Sequence, residues 1–497
     1  MGHTLLILGD QLLREHPGLD GANRVITVES EAMLRRRPLH RQRAHLVRSG
    51  LRHLAAELRE RDGLEVIEHR GAATLAEALA QHDGEELVAA IPNDLGARRA
   101  LEGHGVRLVD SGQFLTAPDD FAAWARGRRR LRMEDFYREQ RRSFGVLVDD
   151  AGEPLGGRWN FDAENRQPPP KDGLNAPEAW SPREDEIDAE VRADLDAAAA
   201  RGVVFFGADV PRRFAVTPAE AHAVLEDFVA HRLREFGPWQ DAMVEPGNPF
   251  LFHSLLSVPL NLGVIDPLTC VRAAEEAYHA HDLPLSSVEG FVRQVIGWRE
   301  YVWGMYWLRA EQWPDANALR AELPLPAAYR GVESGWNCLD TVVAGVAQHG
   351  YAHHIERLMV LGTIGLTAGV VPWELVRWFQ TAFVDGAEWV MAPNAAGMAL
   401  FADGGEMVTK PYAAGGNYIS KMSPHCKSCQ YKPSEKHGER ACPVTALYWD
   451  FVDRHTERLA ANNRTARSVS TWRRFDQDTR DAVRARAASA REELDGG

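Results

Sequence analysis

Five short apolar runs, at 5–8, 25–28, 64–67, 87–91 and 106–109, are separated by segments with helical patterning. Strand-sized runs alternating with helices predict βαβ units, and therefore a parallel sheet covered by helices. In such sheets ligands sit beyond the carboxyl ends of the strands. The turn Gly9-Asp10-Gln11-Leu12, directly after the first run, is thus a candidate pocket edge. It is not a GxGxxG fingerprint, and an ordinary strand-to-helix turn also accounts for it.

The alternation does not continue. From 148 to 200 the chain turns to proline, glycine and charge, with Pro168, Pro169 and Pro170 in a row, which predicts an extended, poorly helical connection. Thr217-Pro218-Ala219-Glu220 then reads as a helix start: Thr as cap, Pro at the first helical position, Glu three residues after the cap. Phe291, Val295, Trp298, Val302 and Met305 recur at three- and four-residue spacing, as one buried helical face should. With 497 residues and 45% hydrophobic content, more than one core is expected. We expect an α/β unit over 1–130, a linker over 131–210 and an all-α unit over 211–497. No apolar run approaches the ~20 residues of a membrane span, and no secretory pattern opens the chain, so a cytoplasmic protein is expected.

A net charge of −14 argues against a surface that coats nucleic acid everywhere, because phosphate affinity comes from Lys and Arg displacing counterions. Local patches remain available: Arg35, Arg36, Arg37, Arg41 and Arg43 form one basic run, and Arg128, Arg129, Arg130, Arg132, Arg138, Arg141 and Arg142 a denser one. Solvated helix faces would look the same.

Three of the five cysteines, Cys426, Cys429 and Cys442, are spaced C-x2-C-x12-C. An odd number of thiols in a long chain does not suggest a disulfide framework, whereas this spacing closes a loop around a soft metal. Zinc and an iron–sulfur cluster both suit it, and both need a fourth ligand. Cys338, Cys270, His425 and His437 are the candidates, with Cys270 placed like an ordinary core thiol on a helix face.

Between Phe250 and Gly397 several segments suit a large flat cofactor. His253, Ser254, Leu255, Leu256 and Asn261 lie where hydroxyls and backbone amides could hold a pyrophosphate, and Glu289, Arg293, Gln294, Trp298 and Arg299 mix hydrogen-bonding groups with a stacking surface on one helix. The E-x3-R-Q-x3-W-R-E-Y string resembles the FAD-cradling helix of the photolyase and cryptochrome superfamily. "YAHHIERLMVLG" (351–362), "EWVMAPNAAGMALFADGG" (388–405), "TKPYAAGGNYISKMS" (409–423) and "ACPVTALYWDF" (441–451) resemble its iron–sulfur branch, which includes bacterial (6-4) photolyases. "LILGDQL" (6–12) and "GGRWNFDAENR" (156–166) extend the resemblance over nearly the whole chain.

That resemblance implies a Rossmann-like antenna domain, a long linker and a helical domain holding FAD in a bent shape. Tyr351, Arg357, Asp385, Met391 and Asn394 would join the flavin contacts. It implies a 4Fe-4S cluster on Cys338, Cys426, Cys429 and Cys442, and a 6,7-dimethyl-8-ribityllumazine antenna near Gly9, Asp10, Gln11 and Glu31. His353 and His354 match paired histidines suited to proton transfer, Tyr412 a lesion-pocket position beside which Lys410 can meet phosphate, and Trp378 an aromatic that passes electrons to the flavin. Phe379 stands where several relatives carry Tyr, and Arg330 where some carry an aromatic. Asp162, Glu164 and Asp241 could hold Mg2+. The implied activity is light-driven repair of UV-damaged DNA by a monomer, most directly at (6-4) photoproducts. A cyclobutane-dimer photolyase, a cryptochrome-like photoreceptor and a cluster-bearing nucleic-acid-binding module without photochemistry are the alternatives.

Overall fold

The computed structural model describes residues 2–60, 64–72, 74–243 and 248–496. Its five strands, β1 (His3–Ile7), β2 (Ala22–Ser30), β3 (Glu65–Ala72), β4 (Leu87–Ala90) and β5 (Arg107–Val109), form one parallel sheet in the order β3-β2-β1-β4-β5. They coincide with the five apolar runs. Leu5 pairs with Val25 on one side and Val88 on the other, and β1 is buried along its length. A central strand covered on both faces needs apolar residues at consecutive positions, which is why these runs do not alternate.

The helix α1 (Arg41–Arg59) packs so near the turn after β1 that a Cβ on Gly9 would lie 2.5 Å from the Val47 side chain. Close approach therefore explains that glycine. The same turn joins the two halves of the chain: Leu12 N–H donates to the Leu262 carbonyl at 2.7 Å. From α1, Arg43 donates to the carbonyl oxygens of Gln380 and Gly386, the latter at 2.9 Å.

The 148–200 connection is less uniform than its composition suggests. The prolines at 168–170 are extended, but Glu186–Ala200 is a regular 15-residue helix, α2. Asp185 and Asp188 form a capping box at its start, Ala197 to Ala200 are strong helix formers, and Val191, Leu195 and Ala198 are buried. The acidic residues that read as linker charge are largely its solvated side. Asp188 faces inward and is fully buried. It accepts from Arg212 Nε and Nη2 at 3.0 and 2.9 Å and from Ser49 Oγ at 2.6 Å. Burial alone would raise this carboxyl, but hydrogen bonds from His45, Arg212 and Ser49 outweigh it and hold Asp188 well below the usual carboxylate range. Its stabilising contribution is thus present above the unfolded-state value and is lost as pH falls toward the folded-state one. We expect Arg212→Ala to cost about 3–5 kcal/mol, because it strands a buried charge. Urea unfolding at neutral and acidic pH checks both points: the gap between the two proteins should narrow in acid.

The remainder is helical. In α3 (Pro218–His231) Thr217 Oγ1 accepts from Glu220 N–H at 3.3 Å and Pro218 occupies the first position, as the sequence predicts. Phe291, Val295, Val302 and Met305 are buried and Trp298 partly so. Within that face, however, Arg293–Arg299 is wound as a π-helix, and so are Arg357–Gly362 and Ala392–Ala399. Such windings are rare and concentrate at functional sites. Of the arginine runs, Arg141 is internal, donating to the carbonyls of Val146 and Trp159, whereas Arg128, Arg129, Arg130, Arg132, Arg138 and Arg142 are exposed. Among the described residues no helix is long and apolar enough to cross a membrane.

Candidate active site and cysteine centre

The three π-helical segments line one cavity of about 700 Å³ in the helical part of the chain. This is the size of a cofactor site. One wall is the loop before Ser257–Leu262, where Leu251 and Leu255 take positive φ of 45° and 60°. Left-handed backbone is costly for leucine and persists only when its surroundings enforce it. Ser257 Oγ donates to Asp385 Oδ2 at 3.0 Å, Asn261 donates to the Asp385 carbonyl at 3.2 Å, and Arg357 grips the Asp385 carboxylate through two bonds of 2.9 and 3.1 Å. These bonds tie the loop to the facing segment.

His253, Ser254, Leu255, Leu256, Asn261, Arg293, Gln294, Trp298, Arg299, Tyr351, Arg357, Asp385, Met391 and Asn394 all line the cavity. Glu289 does not. It is fully enclosed, accepting from Tyr137 Oη at 3.0 Å and Phe161 N–H at 2.9 Å, with Arg293 Nε 3.3 Å away. Its position is one turn behind the wall, where it orients Arg293. Arg293 Nη2, Arg299 Nε, Trp389 Nε1 and His253 Nε2 are buried with no acceptor or donor opposite them. Buried polar groups are ordinarily satisfied, so a wall with several such atoms expects an occupant bearing acceptors. Volume, aromatic wall and cationic donors together fit a flavin dinucleotide.

At the other end of the cavity Lys410, Tyr412 and Tyr418 meet Asp162, Arg166, Gln240 and Asp241. Arg166 carried no signal beyond its place in the "GGRWNFDAENR" string. Asp162 is paired with Arg166 and with Arg293 at 2.9 Å, and Glu164 with Arg158 at 2.7 Å outside the cavity. Asp241 is raised to about 6 by burial, partly offset by Arg166. Among the described residues these three acids do not gather as a metal-binding group.

The paired histidines line the same cavity. His353 is buried, stacks on His253 at 4.7 Å with an 18° tilt, and has no hydrogen-bond partner at either ring nitrogen, with Glu356 Oε2 3.8 Å from Nε2. Burial, reinforced by His253, His354 and Arg357, pushes it well below the usual histidine range. His354 opens onto the cavity, and the enclosing walls together with Arg357 lower it to about 4. Both rings are therefore neutral near pH 7. Beneath them Glu356, which the sequence gave no reason to single out, is buried, accepts from the His353 N–H at 3.3 Å and is pushed up to about 8 by burial. Trp378 lies outside the cavity, behind Phe379.

In the α/β half, burial and then Asp94 raise Asp10 to about 6 against a 3.1 Å hydrogen bond from Asn93. Gln11 donates to the Ile91 carbonyl at 2.7 Å and leaves its own buried carbonyl oxygen without a partner. Glu31, after β2, is engaged by Arg35 and Arg201 at 2.6 and 3.0 Å.

The chain is 39% identical over 515 aligned residues to a (6-4) photolyase of Agrobacterium fabrum, and the alignment covers all of both proteins. The chain belongs to the deoxyribodipyrimidine photolyase-related family. The model of that family matches residues 5–203. The crystal structure of a bacterial class III photolyase from Agrobacterium tumefaciens has the same fold, with a TM-score of 0.54 at 16% identity over 100% of this chain and 98% of the other.

In this photolyase-related chain Cys338, Cys426, Cys429 and Cys442 share one small pocket, while Cys270 is sealed into the core on the helix Pro267–His281. Of the two nitrogen alternatives, His425 lines the pocket and His437 does not. Cys338 sits in the first turn of Asn337–His349 and Cys442 caps Pro443–Arg454. Helix N-termini favour thiolates. Burial, with the other three sulfurs, drives the Cys338 thiol well up, a cost that a bound cation would remove. A Cβ on Gly416 would lie 2.7 Å from Cys442 Sγ, so glycine is what lets the backbone approach the sulfur. The donor set fits a thiolate-held cluster.

Proposed function

We propose that this chain is a light-driven DNA repair enzyme acting as a monomer on (6-4) photoproducts in UV-damaged DNA. The observation that carries the reading is the end-to-end similarity to a (6-4) photolyase, coupled to one flavin-sized cavity lined by His353 and His354 together with Lys410, Tyr412 and Arg166. The 253–261 loop, Arg293, Arg299, Arg357 and Asn394 would hold FAD, whose chemistry when bound would be light-driven electron transfer to the lesion. Tyr412 gives a flipped base a stacking face, and Lys410 and Arg166 meet phosphate. His354 offers its ring N–H to the lesion, with Glu356 holding a proton beneath the pair. In the same reading the four cysteines carry a 4Fe-4S cluster, and Gly9, Asp10, Gln11 and Glu31 border a ribityl-lumazine antenna. Asp162 and Glu164 are engaged by arginines, and these two acids and Asp241 do not gather as one group among the described residues.

The test is illumination of the reduced, flavin-loaded protein with an oligonucleotide bearing one (6-4) lesion, following restoration of the two bases. Restoration is the expected result. Failure with the (6-4) lesion but success with a cyclobutane dimer would reassign the substrate, and failure with both, flavin being present, would favour a photoreceptor.

A further inference from the structure

Two aromatic paths lead away from the cavity, and they end differently. Along the first, Phe379 is followed by Trp378 at 5.3 Å between ring centroids and then by Tyr329 at 5.2 Å. Phenylalanine is the hardest of the aromatic side chains to oxidise. Tyr329 is fully buried and its hydroxyl donates to the Leu361 carbonyl at 2.7 Å. A phenol yields an electron readily only when its proton has a base to go to, and an amide carbonyl is not one. The residue that does reach the surface there is Arg330. This path stops inside the protein.

The second path starts at Trp389, whose indole forms part of the cavity wall. Trp303 lies 5.9 Å from it, and Trp307 a further 5.5 Å outward, where the ring becomes partly exposed beneath Arg98. Beyond the cavity wall, neither the Trp303 nor the Trp307 indole N–H has a hydrogen-bond partner. Buried tryptophans usually find one, so hydrogen bonding does not explain the row. Phe114 stacks on Trp303 at 3.7 Å, nearly coplanar, and Arg299 covers Phe114 at 4.1 Å, which fixes the middle ring. At the outer end Tyr306 is 5.3 Å from Trp307 and donates its hydroxyl to Glu388 Oε1 at 3.0 Å, while accepting from Leu95 N–H at 2.9 Å. Burial and the nearby Asp94 raise Glu388, making its carboxylate a stronger base.

We propose that Trp389, Trp303 and Trp307, with Tyr306 and Glu388 at the outer end, form the path by which electrons from an external thiol reach a flavin in the cavity. This rests on the flavin reading of the cavity. When one electron leaves Trp389, the vacancy is refilled from Trp303, then from Trp307, then from Tyr306, whose phenolic proton passes to Glu388. The result is a neutral tyrosyl radical beside a protonated carboxyl. A thiol then returns an electron through the exposed edge of Trp307, the proton goes back from Glu388 to Tyr306, and the thiol releases its own proton to solvent. Two such turns join two thiols as one disulfide and deliver two electrons. Trp378 takes no part.

The experiment uses flavin-loaded, air-oxidised protein with excess thiol under blue light, following loss of the oxidised-flavin absorption and the electron paramagnetic resonance spectrum. Trp303→Phe and the surface variant Trp307→Phe should each slow the loss by about tenfold, and Trp378→Phe should leave it within about twofold. Illumination should raise a tyrosyl signal in the parent that Tyr306→Phe lacks. Flavin bound per protein shows that each variant has folded, and repair by chemically reduced protein should be retained in Trp307→Phe. Parental rates in both Trp303→Phe and Trp307→Phe, or a block by Trp378→Phe alone, would overturn the proposal while leaving the flavin reading intact. A parent without flavin absorption would overturn both.

Discussion

His354→Ala is expected to keep its flavin and to lose repair of a (6-4) lesion by about 10²- to 10⁴-fold, the usual worth of a positioned acid–base group. Retention of flavin follows from the geometry: the loop, Asp385 and Arg357 are tied together through Ser257 and Asn261, and none of those bonds involves His354. Loss of repair follows from its place, since both histidines line the cavity but His354 is exposed to it while His353 is buried against His253. The pH profile separates the two groups below the lesion. Enclosure and Arg357 lower His354 to about 4, so it is neutral across the working range and contributes no limb near pH 7. Burial raises Glu356 to about 8, so its proton is present below that value and departs above it. Repair should therefore hold through neutrality and decline as pH rises past about 8. In Glu356→Gln that alkaline decline should vanish, because glutamine keeps an oxygen acceptor for the His353 N–H but does not titrate. Single-turnover repair under constant illumination from pH 6 to 9 reads both effects. Unchanged repair in His354→Ala would remove its role, and an alkaline decline that survives in Glu356→Gln would remove Glu356's.

The contrast between Glu289 and Arg293 shows where a sequence stops being informative. Both stand on one short motif and both look like cofactor ligands, yet Glu289 is enclosed by Tyr137, Phe161 and Arg293 while Arg293 reaches the cavity. Which side of a helix faces a ligand depends on local winding, and Arg293–Arg299 is π-helical, a state with no pattern of its own in residue types. The five strands were legible because burial on two faces leaves continuous apolar runs, and Thr217-Pro218-Ala219-Glu220 because capping is local chemistry. The helix Glu186–Ala200 was obscured because its charged positions merge with the polar stretch before it while its buried apolar residues, Val191, Leu195 and Ala198, are few. Glu356 and the Trp389–Trp303–Trp307 row were obscured for another reason: their character comes from neighbours far along the chain. An acid acquires a raised pKa, and an indole a place in a row, only after packing.

Cys338→Ala should produce the largest stability loss of any single change considered. Its sulfur comes from the helix Asn337–His349, Cys426 and Cys429 from the segment around His425–Lys427, and Cys442 from the head of Pro443–Arg454, so Cys338 is the one thiol that ties the 426–442 loop to a helix far from it in sequence. The pocket between them is apolar, and the other ties from the Cys338 side to the 426–442 loop are a few hydrogen bonds: Asn337 Nδ2 to the His425 carbonyl at 2.8 Å and to Ser428 Oγ at 3.2 Å, and Gln430 Nε2 to the Gly335 carbonyl at 3.2 Å. Structural metal centres contribute on the order of 10 kcal/mol, comparable with the whole net stability of a typical domain. The variant should lose most of its iron and unfold at least in the part of the chain after Gly416. Thr363 Oγ1 holds the Tyr412 carbonyl at 3.0 Å on the margin of that part, so the cavity wall at Tyr412 keeps one anchor outside it. Cys270→Ala is the matched control. It removes a buried sulfur of the same size with no shared pocket, and should cost about 1 kcal/mol with iron retained. Iron per protein and thermal unfolding by circular dichroism measure both variants. Full iron content and parental unfolding in Cys338→Ala would take Cys338 out of the ligand set, leaving His425, whose Nε2 is buried without a partner on the same pocket, as the fourth donor to replace next.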